Sequence, residues 1–489
     1  EHFIQPAMDG TTYGSAVGPE TQQPRNFAEV AAPYLSEFVG TYLFVFTISV
    51  CSIAGTSAWN ATAIAAMLMV LVYTFGPVSG GHLNPAVSVA CGLAGKTPWA
   101  QAGAYCMLQI SAGLLAGLTN YEVFHQPVGV APVAPYTFGM AAAMEIVYTA
   151  MLCFVVLSVA TARGNNPSGD QNHFFGLAIG FVIIAGGYAA GDISGALFNP
   201  AVALGLEVLG TKDGGNPWGL AYAGVQMVGA VLAAVLFRLV RREDSTNTSD
   251  PNFEPSIFSR LLAEFLGTFM LAATVGICSA TKSAATAWAA AAALMSMIYA
   301  VHDVSGGHLN PAVTTAVVLS GRGKCSLGRG LAYWAAQLSA GILAGLLTVS
   351  VHNSGPYSSE EMVLAPKIHY SWVAVFVVEL IFTTMLAYVV LTVATTRHSE
   401  SMSKQNFQFG LAIASCVTAG GFAAGSISGG VLNPAVSWSL ATAGGFIGGQ
   451  HWNYCLVYSL FELTGGVAAA VLFCLTHRIE FRKPGALLD

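Results

Sequence analysis

The residues in this chain best suited to chemistry are four copies of one tripeptide: Asn84-Pro85-Ala86, Asn199-Pro200-Ala201, Asn310-Pro311-Ala312 and Asn433-Pro434-Ala435, each followed by valine. Proline at the first position of a helix gives up only an N–H that has no partner within the helix, and asparagine just before it is a good N-cap. Each copy follows a long apolar run ending near a Ser-Gly pair, and each opens an apolar stretch too short to cross a bilayer. One Asn-Pro-Ala alone is an ordinary helix start. Four in matching contexts predict loops that dip into a membrane and end in half-helices. Such a tip presents N–H donors, the positive end of a helix dipole and an asparagine amide at mid-membrane depth. Irregular backbone is tolerated there only where protein buries it or a water-filled cavity hydrates it. Two tips meeting head to head form a polar waist whose dipoles oppose a cation or a hopping proton.

The elements that must hold these tips follow from composition. The chain has 489 residues, 54% hydrophobic and 9% charged, whereas soluble domains carry about 25% charged residues. This is the composition of a polytopic membrane protein, with lipid as its surroundings. The net charge of −6 includes no basic run able to bind nucleic acid, so no nucleic-acid partner is expected and the charge says little about others. Nine cysteines form no Cys-x-x-Cys pair, so no disulfide or metal framework is implied. There is no phosphate-cradling glycine loop and no grouping of nucleophile, base and orienting residue, so neither a cofactor nor an enzyme is expected.

Runs long enough to span lie near 34–56, 61–79, 99–120, 137–161, 173–193 and 217–240, then near 257–279, 285–303, 329–350, 371–395, 407–427 and 451–475. The expected fold is all-α, two units of six spans, with one Asn-Pro-Ala stretch after the second and fifth span of each. The boundaries read as a polar tail 1–30, a first unit 31–240, a linker 241–256, a second unit 257–478 and a tail 479–489. Asn310 lies 226 residues after Asn84 and Glu264 lies 227 after Glu37, so the units repeat. Within a unit the halves repeat as well, Glu37-x-x-x-Thr41 being echoed by Glu145-x-x-x-Thr149. Three spans per half is odd, so the second half enters from the opposite side, and the functional site falls between the halves at mid-membrane. Fifteen Lys and Arg, among them Arg25, Arg397, Lys404, Arg482 and Lys483, fall on one side of the spans, against Lys212, Lys282 and Lys367 on the other. Both termini and the linker are therefore expected on the cytoplasmic or equivalent side.

Glu37, Glu145, Glu264 and Glu379 sit inside apolar spans, where a charge is costly, so each should face the protein interior and accept hydrogen bonds. Glu462 in the last span has Gln226 as its counterpart and is assigned no more than a polar helix-packing contact. Gly113-x-x-x-Gly117 and Gly341-x-x-x-Gly345 let helices approach closely, and Gln109 and Gln337 should hydrogen-bond within the bundle. His302-Asp303 is placed near the inner vestibule of the second unit.

Paired Asn-Pro-Ala loops, Ser-Gly-Gly-His-Leu before the first of each pair, and Glu-x-x-x-Thr in the first and fourth spans resemble the aquaporins, or major intrinsic proteins, twice over in one polypeptide. The resemblance implies six tilted spans and two half-helices per pore, one pore per unit, and four units per assembly, so a homodimer of chains would imitate the tetramer. It implies that the four membrane glutamates brace the re-entrant loops, and His82 and His308 are likewise read as loop braces. In that family the narrowest point uses four positions, which gap-free counting from the asparagines puts at Ile64, Gly187, Ala196 and Val202 in the first unit, and at Ala290, Gly421, Gly430 and Val436 in the second. Water-selective members commonly place an aromatic residue, a histidine and an arginine among these four; none is present here. Ala203 and Ser437 stand where glycerol-facilitating members carry aspartate. A wide, dry ring follows, and with it a permissive pore for water and small neutral solutes such as ammonia, urea, hydrogen peroxide or glycerol. The alternative is a structural membrane subunit of a larger complex, its pores vestigial.

Overall fold

With lipid outside, every backbone N–H and C=O in a span has to be satisfied within its own segment, and the apolar runs accordingly fold as helices. The computed structural model of the chain describes residues 27–55, 58–167, 171–208, 217–245, 253–396, 407–448 and 452–481. Arg25, Lys212, Arg397, Lys404, Arg482 and Lys483 lie outside the described residues. The first unit contains α1 (Phe27–Ala54), α2 (Asn60–Ser79), the half-helix α3 (Pro85–Leu93), α4 (Trp99–Phe124), α5 (Phe138–Val156), α6 (Phe175–Ser194), the half-helix α7 (Pro200–Glu207) and α8 (Trp218–Val240). The second contains α9 (Ile257–Ala280), α10 (Thr286–Ser305), the half-helix α11 (Pro311–Leu319), α12 (Leu327–Ser354), α13 (Trp372–Thr395), α14 (Gln408–Ala424), the half-helix α15 (Pro434–Ile447) and α16 (Tyr454–Thr476). Eleven of these are long and apolar enough to cross a membrane, and α14 is a shorter apolar helix of 17 residues. Helix α1 begins at Phe27, inside the stretch read as a tail through residue 30, and short 3-10 turns at Arg242–Ser245 and Arg478–Phe481 order parts of the predicted linker and carboxyl-terminal tail.

The small-residue pairs seat the half-helices. A side chain on Gly113 would collide with the carbonyl oxygen of Ala201, and one on Gly117 with that of Gly205, so α4 carries α7 at backbone contact. Gly341 and Gly345 on α12 meet the Ala435 and Ser439 carbonyls of α15 in the same way. The obstacle is backbone, which cannot rotate aside. Gly117→Ala is therefore expected to destabilise the protein by about 1–3 kcal/mol or more, read as a lowered unfolding midpoint in detergent. An unchanged midpoint would contradict the contact.

The two units dock through α5 and α6 of the first and α9 and α10 of the second. The Phe174 ring stacks on Tyr299 with centroids 4.4 Å apart, Ser296 Oγ donates to the Ala178 carbonyl at 2.9 Å, and Asn165 Nδ2 donates to the Tyr299 carbonyl at 3.1 Å. Arg241, read from sequence as the first linker residue, is fully buried, and its two terminal nitrogens each reach a carboxylate oxygen of Asp303 at 2.7 Å. This corrects the placement of His302-Asp303. Asp303 belongs to the seam between units, His302 packs against Phe174 and Phe409, and neither lines the second unit's cavity.

Candidate functional site

Each half-helix starts as the tripeptide dictates. Asn84, Asn199, Asn310 and Asn433 are extended N-caps with proline at the first helical position, and each Oδ1 accepts from the N–H of the motif's alanine at 2.8–3.0 Å. The amide nitrogens cross over. Asn84 Nδ2 donates to the Phe198 carbonyl at 2.9 Å and Asn199 Nδ2 to the Leu83 carbonyl at 3.0 Å; Asn310 and Asn433 do the same to Leu432 and Leu309 at 2.9 and 3.0 Å. The tips of each unit thus meet and are tied reciprocally. The residue before each asparagine, Leu83, Phe198, Leu309 or Leu432, has a φ of +49°, +50°, +50° or +56°. That left-handed conformation costs a residue with a side chain about 1–2 kcal/mol. It persists because both ends of the residue are held, its carbonyl by the opposing asparagine and its N–H by a buried glutamate.

Those glutamates collect donors. Glu37 accepts from Ser79 Oγ (2.6 Å), the N–H groups of His82 (2.9 Å) and Leu83 (2.7 Å), and Gln109 Nε2 (2.7 Å). Glu145 takes Ser194, Leu197, Phe198 and Gln226, and Glu264 takes Ser305, His308, Leu309 and Gln337, at 2.6–3.0 Å. Each of the three carboxylates receives four donors. His82 and His308 give their backbone N–H to this node, while their Nδ1 atoms sit 3.0 and 3.1 Å from Ser88 Oγ and Thr314 Oγ1.

The fourth node differs. Glu379 accepts from Ser428 Oγ (2.5 Å), Val431 N (3.1 Å) and Leu432 N (2.9 Å), and the glutamine place is held by Glu462. Glu462 Oε1 accepts from the Asn433 N–H at 3.1 Å and Ser437 Oγ at 2.8 Å, while its buried Oε2 has no partner. Glutamine here would keep the accepting oxygen and add an amide donor for Glu379. Glu462→Gln is expected to remove an unsatisfied atom worth about 1–3 kcal/mol, which raises the unfolding midpoint by about 2–4 °C per kcal/mol. A midpoint that stays put or falls would overturn this account. The sequence alone assigns Glu462 a polar helix-packing contact and does not join the glutamines to the carboxylates. The signal was the repeat itself, since Gln109, Gln226 and Gln337 follow their glutamates by 72, 81 and 73 residues.

A cavity borders each tip pair. In the second unit it measures about 390 Å³ and extends from Ser279 and Lys367, past Ala290, Gly421, Gly430 and Val436, between Asn310 and Asn433, to His308 and Ile298. All four ring positions counted from sequence in this unit therefore border one lumen. In the first unit the cavity beside Asn84, Asn199 and His82 measures about 10 Å³, with Phe44, Ile183 and Leu197 in its wall. Ile64, Gly187, Ala196 and Val202 do not line it. What the site can do chemically is bounded by this wall: asparagine amides and loop carbonyls at the waist, and mostly apolar side chains on either side, joined in the second unit by His308 at one end and by Ser279 and Lys367 at the other.

The sequence model described as "Major intrinsic protein" matches residues 26–218, 175–284 and 254–473. The chain is 35% identical over 189 residues to Aquaporin NIP1-4 of Oryza sativa subsp. japonica, covering 36% of this chain and 66% of that protein. It is 32% identical over 227 residues to Aquaporin NIP1-2 of the same plant, covering 43% and 72%, and 33% identical over 236 residues to Nodulin-26 of Glycine max, covering 45% and 83%. Each of these alignments occupies less than half of this chain, as one relative set against one of two units would. The chain therefore belongs to the major intrinsic protein family, the aquaporins, membrane channels and not enzymes, with two family units joined in one polypeptide.

Proposed function

We propose that this protein lets water and small neutral solutes, of the size of ammonia, urea, hydrogen peroxide or glycerol, cross a membrane passively through a wide apolar ring without the family's arginine. The observation that carries the reading is the cavity of about 390 Å³ that passes Ala290, Gly421, Gly430 and Val436 and both tip asparagines of the second unit. Val436 brings no charge and no donor to the ring, so size exclusion there is weak. Discrimination against cations falls to the half-helix dipoles and the asparagine amides at the waist. Stopped-flow swelling of proteoliposomes tests this: rates equal to those of lipid alone for every solute would refute transport.

The assembly we favour is a homodimer of chains with four pores. The apolar stretches of α5, α6, α9 and α10 are 72, 67, 67 and 78% buried inside the chain, whereas those of the counterparts α13, α1 and α2 are 33, 39 and 28% buried. A second copy that set its α13 and α14 against α1 and α2 would repeat the docking already made within the chain and close the ring. The excess of Lys and Arg on one side supports termini and linker facing the cytoplasm or its equivalent. Native mass measurement that found only single chains would reject the dimer.

A further inference from the structure

We infer that the two pores of this chain are not equivalent: the second carries the solutes, and the first is shut to them at its outer ring by Ile64 and Ala196, above a lumen narrowed by Phe44. The inference rests on the channel reading above and assigns that activity to one half of the chain.

The smaller cavity is the waist section of the passage that the larger one follows further, out through the ring, because every residue lining the smaller one has its repeat counterpart lining the larger. Asn84, Asn199 and His82, for example, correspond to Asn310, Asn433 and His308. Where the walls differ, the first unit mostly carries the bulkier side chain: Phe44 against Leu271, Ile183 against Val417, Leu197 against Val431, with only Val72 against Ile298 reversed. About 10 Å³ is the least space that accommodates one water molecule. The larger cavity has room for a solute of several heavy atoms.

The outer ring differs in the same direction. Gly187 and Val202 repeat as Gly421 and Val436, but Ile64 stands against Ala290 and Ala196 against Gly430. Ala196 is the telling residue. Its φ of +55° is left-handed, and its three counterparts, Gly81, Gly307 and Gly430, are glycines at +60°. Alanine is the unfavourable choice for that conformation, and what it adds is a methyl group. A Cβ on Gly430 would lie 2.9 Å from Gly421 Cα, so a methyl at this position is driven toward the facing member of the ring. Tyr188 adds a strap. Its hydroxyl is 2.8 Å from Thr62 Oγ1 and donates to the Ala58 carbonyl at 3.0 Å, tying α6 to the start of α2 beside the ring. The counterpart in the second unit is Phe422, which has no hydroxyl and borders the open cavity.

The test uses the full chain in proteoliposomes, with glycerol and urea gradients. Ala290→Ile with Gly430→Ala gives the second ring the residues of the first, and is expected to cut solute flux at least about tenfold, toward the lipid-only rate. Phe44→Leu with Ile64→Ala and Ala196→Gly gives the first pore the residues of the second at the ring and at position 44, and is expected to raise flux, toward about twice the wild-type value as the pores approach each other. Retention of half the flux or more in the second-unit variant overturns the inference. Wild-type flux no faster than lipid alone defeats the channel reading instead, so the two failures are distinguishable. Should the ring variants not fold, a cysteine pair decides. An impermeant thiol reagent, referenced to treated wild type, is expected to block flux in Val436→Cys and to leave it intact in Val202→Cys. Equal block in both, or block in Val202→Cys alone, overturns the inference.

Discussion

Glu264→Ala is expected to leave the second unit without its waist and the chain without a detergent-stable fold. The carboxylate collects Ser305 Oγ, the N–H groups of His308 and Leu309, and Gln337 Nε2, all in a site that is fully buried. Removing the acceptor strands four donors at about 1–3 kcal/mol each, or about 4–12 kcal/mol together. The total stability of a domain is about 5–15 kcal/mol. The same change also releases Leu309, whose positive φ is held by the N–H bond to Glu264 and by the Asn433 amide on its carbonyl. Glu264→Gln keeps the shape and one acceptor but turns an amide toward donors, so it should fall between wild type and alanine. Yield and monodispersity on size exclusion measure the effect. A wild-type profile for the alanine variant would contradict the bracing role.

The second large effect belongs to the ring. Val202→Arg combined with Val436→Arg is expected to lower urea and glycerol flux by about tenfold or more while water flux falls less, a tenfold change corresponding to about 1.4 kcal/mol of barrier. Valine at 436 shares the lumen with Ala290, Gly421 and Gly430, none of which offers a side-chain donor or a charge. Arginine brings a cation that stays protonated and five N–H donors on a long side chain. It narrows the opening for larger solutes and still presents hydrogen bonds to water. Equal loss for every solute, water included, would contradict a ring that is wide to begin with.

The parts of this molecule legible in the sequence are those whose physics is local. Asparagine before proline caps a helix wherever it stands, and all four tips form at the asparagines. A glutamate inside an apolar span has to find donors, and Glu37, Glu145, Glu264 and Glu379 do. Span length follows from bilayer thickness, so the positions of the long helices were readable to within several residues, although α1 starts earlier than its apolar run. Partnerships between distant residues were not legible. Gln226 meets Glu145 across 81 residues, and Arg241 meets Asp303 across 62, which is why Gln226 figures in the sequence only as the counterpart of Glu462 and Arg241 reads as a linker residue. Counting from the asparagines reaches Ala290, Gly421, Gly430 and Val436, which border one lumen, whereas the small cavity beside the first unit's tips stops short of Ile64, Gly187, Ala196 and Val202. Free volume is set jointly by Phe44, Ile183, Leu197 and their neighbours, and no single position announces it.

The bidentate clasp between Arg241 and Asp303 fastens two dissimilar halves that translation has already joined. Assemblies of separate identical protomers give every channel the same character, and mixed assemblies need some means of sorting their members. Joined in this manner, unlike neighbours come in a constant one-to-one ratio without any sorting step. Either half is then free to change through substitutions the other never inherits, and the inferred division of labour between the two pores needs no further device to keep it.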